Sequence, residues 1–155
     1  DGSQLTKLTM RRPTALDVIA SQQGAGDDSD QAVTLLANLC MVSAETFGDL
    51  DGADFRQANE AFASLTAFDP IPDYQPGSTI TLGGPITVAG VSVSYITLRR
   101  PKVKDITSAR KSDPLPAKQE CALFAALSGL EVKDIQNLDW ADYLKIKSIY
   151  GDFLE

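Results

Sequence analysis

The stretch LTMRRPTALD, residues 8–17, returns as ITLRRPKVKD at residues 96–105. Arg11 and Arg99, Pro13 and Pro101, and Asp17 and Asp105 each lie 88 residues apart. The same offset, without a gap, pairs Gln31 with Gln119, Leu35 with Leu123, Ala37 with Ala125 and Leu39 with Leu127. It then pairs Leu50-Asp51 with Leu138-Asp139 and Ala53-Asp54 with Ala141-Asp142. Phe47 meets Ile135 and Phe55 meets Tyr143, so apolar character persists where identity does not. Two copies at this period describe a tandem duplication of one supersecondary unit rather than a solenoid.

Each copy reads as a strand (3–10; 91–99) running into Arg-Arg-Pro, with the proline suited to the first position of a helix at 13–23 or 101–111. A polar break, GAGDDSD or SDPLP, supplies Ser/Asp caps for an apolar helix at 29–41 or 115–128. A short helical turn follows at 43–48 or 131–136. Asp51 and Asp139 then cap a last helix at 52–66 or 140–154. On that helix Phe55, Ala58, Phe62 and Leu65 form one stripe, matched by Tyr143, Ile146, Tyr150 and Phe153, and the stripe reads as core. The expected fold is α+β, in two similar units, each a small β-hairpin or strand element followed by three to four short helices. The first repeat spans 1–66, a Pro-rich linker 67–78, and the second repeat 79–155.

Only the second copy has a whole hairpin. In TITLGGPITVAGVSVSYITL, residues 79–98, Ala89-Gly90 makes a two-residue turn, with Val88 facing Val91 and Ile86 facing Val93. One extra residue at Gly83-Gly84 then sets Leu82 opposite Ile96 and Ile80 opposite Leu98. In the first copy Asp1-Gly2 aligns with Ala89-Gly90, so the first hairpin arm is missing: the chain is a trimmed form or a natural half-hairpin. Leu5, Leu8 and Met10 then lie on an edge with unpaired backbone groups. A strand of copy two, or strand addition from another molecule in a homo-oligomer, would complete it. The tethered partner is favoured because it avoids the entropy of association.

Composition bounds the chemistry. The 155 residues are 43% hydrophobic and 23% charged, which suits a globular core. No apolar run is long enough to span a membrane, and no stretch reads as a signal peptide. There is no histidine, and Cys40 and Cys121 sit alone in apolar helical stretches, where they act as small hydrophobes. These counts leave no zinc ligand set and no histidine-based nucleophile, and they point away from an enzyme or a cofactor. DLDGAD, residues 49–54, lacks the further ligands of a calcium loop, and LGGP, residues 82–85, is followed by no GK[ST]. The net charge of −7 is carried by residues 1–69, which hold 4 Lys+Arg against 11 Asp+Glu; residues 70–155 hold 10 of each. No basic footprint for nucleic acid exists.

The paired arginines are the candidate site: Arg11, Arg12, Arg99 and Arg100. They are either solvated strand ends paired with Asp17 or Asp105, or fork-shaped donors to a protein partner.

The hairpin running into Arg-Arg-Pro, the helix with Asp105, LFAALSGL (123–130), VKDIQNLDWADYLKI (132–146) and the closing DFLE (152–155) together resemble the tail assembly chaperones of long-tailed, Mu-like phages. The resemblance covers 79–155 well and reaches 1–66 through the 88-residue offset. It implies a non-enzymatic protein of the host bacterial cytoplasm that binds the tape measure protein and keeps it soluble. It further implies recruitment of tail tube subunits and absence from the mature virion. The alternative is a small structural subunit of the tail or baseplate that stays in the particle.

Overall fold

The computed structural model describes residues 6–155. Unit one contributes α1 (Ala15–Gln22), α2 (Asp28–Leu39), α3 (Ala44–Gly48) and α4 (Gly52–Thr66). Unit two contributes the hairpin β1 (Thr79–Val88) and β2 (Val91–Thr97), then α5 (Val103–Ser112), α6 (Pro116–Ser128), α7 (Val132–Gln136) and α8 (Trp140–Phe153). Helix order is the same in both, and the fold is α+β in two similar units.

The first helix of each unit starts two residues later than its proline suggests. Thr14 caps α1, and Asp17 reaches back to the Thr14 N–H at 2.8 Å. Asp105 accepts from the Lys102 N–H at 2.7 Å in the same way. The prolines therefore precede the caps, because the aspartates close the first turn at that point. Asp27 caps α2, but α6 opens on Leu115 with Pro116 in its first turn and no side-chain cap. Asp51 and Asp139 cap α4 and α8, accepting from Ala53 and Ala141 N–H at 2.8 and 3.0 Å. Helices α2 and α6 end alike, with Val42 N–H bonding Ala37 O and Leu130 N–H bonding Ala125 O, each at 3.1 Å. This closure needs a left-handed residue: Gly129 in unit two (φ 73°), but Met41 in unit one (φ 60°).

The hairpin turns at Ala89-Gly90, both at positive φ, and pairs Val88 with Val91 and Ile86 with Val93 as expected. Further along the register differs. Ile80 faces Ile96, not Leu98, and the break between Thr81 and Ile86 is larger than one residue. Gly83 and Gly84 leave the ladder to bond the Asp142 carboxylate, and that displacement sets the shift. In unit one no strand forms over residues 6–10, and among the described residues no strand of copy two pairs with them. The remainder of the expected strand, including Leu5, lies outside the described residues.

The main core holds Ile80, Leu82 and Ile86 of β1 against Leu138, Tyr143, Ile146 and Ile149, with Phe124 and Leu127 beneath. Ala15 and Ile19 of unit one belong to this same core. Cys40 and Cys121 are both free and buried. Unit one keeps two smaller clusters, one around Leu36, Ala37 and Phe47, the other around Val18, Leu35 and Leu39. The stripe on its last helix is not a buried core. Ala58, Phe62 and Leu65 are half-buried and Phe55 is 36% exposed, because among the described residues no strand lies across them as β1 lies across α8.

Replacing Ile146 with Ala should cost about 2–5 kcal/mol in urea unfolding. Phe55→Ala, losing an edge contact with Phe47, should cost about 1 kcal/mol. Equal losses would contradict the asymmetry. Met41 is 80% exposed, so Met41→Gly removes backbone strain without losing packing. It should raise stability by about 0.5–1 kcal/mol, and a lowered midpoint would show the left-handed turn to be unstrained.

Candidate functional site

The Arg-Arg-Pro corner is built the same way twice. Arg11 donates both terminal nitrogens to Asp17 at 2.7 and 2.8 Å, and Arg99 does so to Asp105 at 2.7 and 2.8 Å. The Arg11 N–H bonds Leu39 O at 3.0 Å, and the Arg99 N–H bonds Leu127 O at 3.1 Å. The second arginine reaches the end of the last helix: Arg12 to Leu65 O at 3.1 Å, Arg100 to Phe153 O at 3.3 Å. Every one of these partners is related by the 88-residue offset. A bidentate guanidinium–carboxylate fork is geometrically demanding, which is why lysine could not hold this corner.

The two units meet where this symmetry breaks. The Ala15 N–H donates to Leu138 O and the Trp140 N–H to Pro13 O, each at 2.9 Å, so Thr14 and Asp139 face each other as an antiparallel bridge. Arg12 forks the Asp139 carboxylate, its Nε on Oδ2 and its Nη2 on Oδ1 at 3.3 Å. Asp139 is 7% exposed, so a cation beside it offsets the cost of burying charge. Trp140 stacks on Tyr143 at 4.9 Å and packs against the Val18, Leu35 and Leu39 cluster of unit one. On the same side of α8, close to one turn further along, Asp142 accepts from the Gly83 and Gly84 N–H groups at 2.9 and 3.0 Å. A side chain at Gly84 would meet Asp139 Cβ at 3.1 Å, so glycine permits the approach. Lys145 closes the hairpin seat, donating to Thr81 O at 3.3 Å.

In unit one the equivalent seat is open among the described residues. A groove of about 400 Å³ is lined by Leu8, Met10, Cys40, Leu50, Ala58 and Ala61, with Lys7, Asp54 and Gln57 at its rim. Leu8, Asp54 and Gln57 correspond to Ile96, Asp142 and Lys145, the residues that hold β1 in unit two. Ala58 and Ala61 stand where unit two has Ile146 and Ile149, so smaller side chains line this groove than line the hairpin seat.

A family model described as phage tail assembly chaperone proteins, E, or 41 or 14, matches residues 1–67 and again residues 79–155. The chain belongs to the phage tail assembly chaperone family. Its two matched segments are the two copies of the duplication. No curated protein and no solved structure matches it.

Of the four arginines singled out in the sequence, three are committed within the chaperone. Arg11 and Arg99 hold their own units' aspartates, and Arg12 holds the joint. Arg100 lies exposed over the Phe153 ring at 5.7 Å, with no carboxylate among the described residues. The sequence did not flag Trp140, Asp142 or Lys145, although Trp140 opposite Gly52 is the sharpest departure from the offset. Among the described residues no cluster of His, Cys, Asp or Glu could hold a metal ion. Burial pushes both thiols up, away from the thiolate.

The arginine forks hold the carboxyls of Asp17 and Asp105 below the ordinary aspartate range, with backbone N–H bonds from Thr14 and Lys102 assisting. The folded state therefore binds fewer protons than the unfolded chain as pH falls through the unfolded value of about 3.9. The stabilisation is complete above that value and is lost as pH drops toward the depressed folded values. Urea midpoints should hold level from neutral pH to about 5 and fall below about 4. Asp105→Asn should start lower and fall less; an acid loss as large as the parent's would remove Asp105 from the account.

Proposed function

We propose that this chaperone binds the tape measure protein during tail assembly, keeps it soluble and helps recruit tail tube subunits around it. It acts in the host bacterial cytoplasm without catalysis and leaves before the virion is complete. The groove of unit one carries this reading. An apolar floor with a polar rim suits an amphipathic segment of a long helical protein, whose apolar stripe would otherwise aggregate. Alanines at 58 and 61 leave room for larger side chains than the hairpin of unit two inserts into its own seat. Unit two fills its seat with its own β1, so it supports the fold while unit one presents the surface.

Co-expression with the tape measure protein of the same phage tests this. The parent chain should move that protein into the soluble fraction, and Ala58→Lys, which places an ammonium in the groove, should return it to the pellet with helix content unchanged. Insolubility with both chains would overturn the function, and solubility with both would overturn the groove. Peptides of the chaperone at structural abundance in purified particles would favour the tail-subunit alternative instead.

A further inference from the structure

The joint shows what an Arg-Arg-Pro corner binds. In unit one Arg12 forks Asp139, the Ala15 N–H donates to Leu138 O, and Pro13 O accepts from the Trp140 N–H. The ligand of that corner is a helix that opens on an apolar residue, an Asp and an aromatic. Unit two carries the same corner, and there it is exposed. Val103 is 78% exposed, whereas its counterpart Ala15 is fully buried in the joint. Ile106 is half-buried, whereas its counterpart Val18 is buried in the cluster that Trp140 covers. Among the described residues the Val103 N–H and the Pro101 carbonyl make no hydrogen bond, and Arg100 has no carboxylate within ion-pair distance.

Charge gives the sign of the occupant. Residues 99–118 hold seven Lys+Arg against two Asp+Glu, while their counterparts 11–30 hold two against four. Both acids of 99–118 are engaged, Asp105 by Arg99 and Asp113 by Lys118. Arg100, Lys102, Lys104, Arg110 and Lys111 are exposed and have no ion pair among the described residues. Lys104 and Lys111 are seven residues apart on α5, so they share one face and stand about 10 Å apart along its axis. A chain of net charge −7 therefore presents a local basic surface around one exposed valine. The acidic remainder of the chain disfavours a long polyanion there, which leaves a short acidic protein segment. We infer that this corner docks a helix-opening segment of a different protein, of the form apolar–Asp–aromatic, with further carboxylates facing Lys104 and Lys111.

In the joint's register the incoming Asp takes the Arg100 guanidinium as Asp139 takes that of Arg12, and its apolar neighbour lies on Val103. The backbone on either side of the Asp then completes the Val103 N–H and the Pro101 carbonyl, and the aromatic covers Ile106. Asp73, Asp152 and Glu155 line the cleft beside Arg100, so an occupant needs the fork and the backbone contacts as well as charge. A second copy of the chain supplies this segment poorly. Its Leu138-Asp139-Trp140 is closed in its own joint, and its Leu50-Asp51 is followed by Gly52, which has no side chain to lay over Ile106. Recognition of acidic motifs by clustered arginine and lysine is a general mode, and the apolar and aromatic positions give it selectivity. The inference rests on the joint and not on tape measure binding.

A labelled peptide of residues 136–144, QNLDWADYL, titrated with the full chain tests this by fluorescence anisotropy. The internal joint is tethered, and its high effective concentration keeps the peptide off unit one. Binding should saturate at low salt and weaken as salt rises from about 0.01 M to about 1 M, which shortens the screening length from about 30 Å to about 3 Å. Arg100→Ala should weaken it at least ten-fold, and Arg100→Lys should not restore it, because the fork needs a guanidinium. Val103→Asp, acidic at a helix start where it does not disturb folding, should do the same. Circular dichroism checks that each variant is folded. In the peptide, Asp139→Asn should cost at least ten-fold and Trp140→Gly several-fold. Absence of saturable binding at about 1 mM and low salt overturns the inference. So does binding unchanged by Arg100→Ala or by Val103→Asp. Equal affinity for the peptide DLDGADF, residues 49–55, overturns the assignment to a different protein, since a second copy would then serve as well.

Discussion

Three residues on either side of the joint, Pro13-Thr14-Ala15 and Leu138-Asp139-Trp140, organise the molecule. Two backbone hydrogen bonds and one arginine fork join segments 127 residues apart. Asp139 serves two masters there, capping α8 through the Ala141 N–H while holding Arg12. Such a nearly buried carboxylate is tolerable only because cation and amide donors surround it. The joint also inserts Ala15 and Ile19 into the core of unit two, so neither unit finishes its core alone.

From one repeated corner the two units take different roles. In unit two β1 lies across α8, and Tyr143, Ile146 and Ile149 are all buried beneath or beside it. In unit one the corresponding helix buries no residue fully, and its floor is alanine where unit two has isoleucine. A single small domain that exposed this much of its core face would be marginal. Coupling it to a closed sister unit offsets that cost. Duplication thus leaves one unit closed by its own hairpin and the other with a more open helix face among the described residues. The net charge of −7 lies in residues 1–69, in contrast with the neutral remainder of the chain, and such a charge opposes association of exposed apolar surface.

Interactions spanning a few residues were legible in the sequence. The 88-residue offset, the helix order, the Asp51 and Asp139 caps, the Ala89-Gly90 turn and the pairing of Arg11 with Asp17 and Arg99 with Asp105 all rest on such contacts. Local geometry decides them, and identical local strings give identical local structure, down to the same two fork distances in both corners. What required the tertiary structure lies at long range. The hairpin register depends on a carboxylate 59 residues away that draws Gly83 out of the ladder. The stripe of α4 has the same period as that of α8, but periodicity names a face and not what covers it. Arg12 and Arg100 are indistinguishable as letters, and only the packing of one unit on the other gives the first an aspartate while leaving the second exposed.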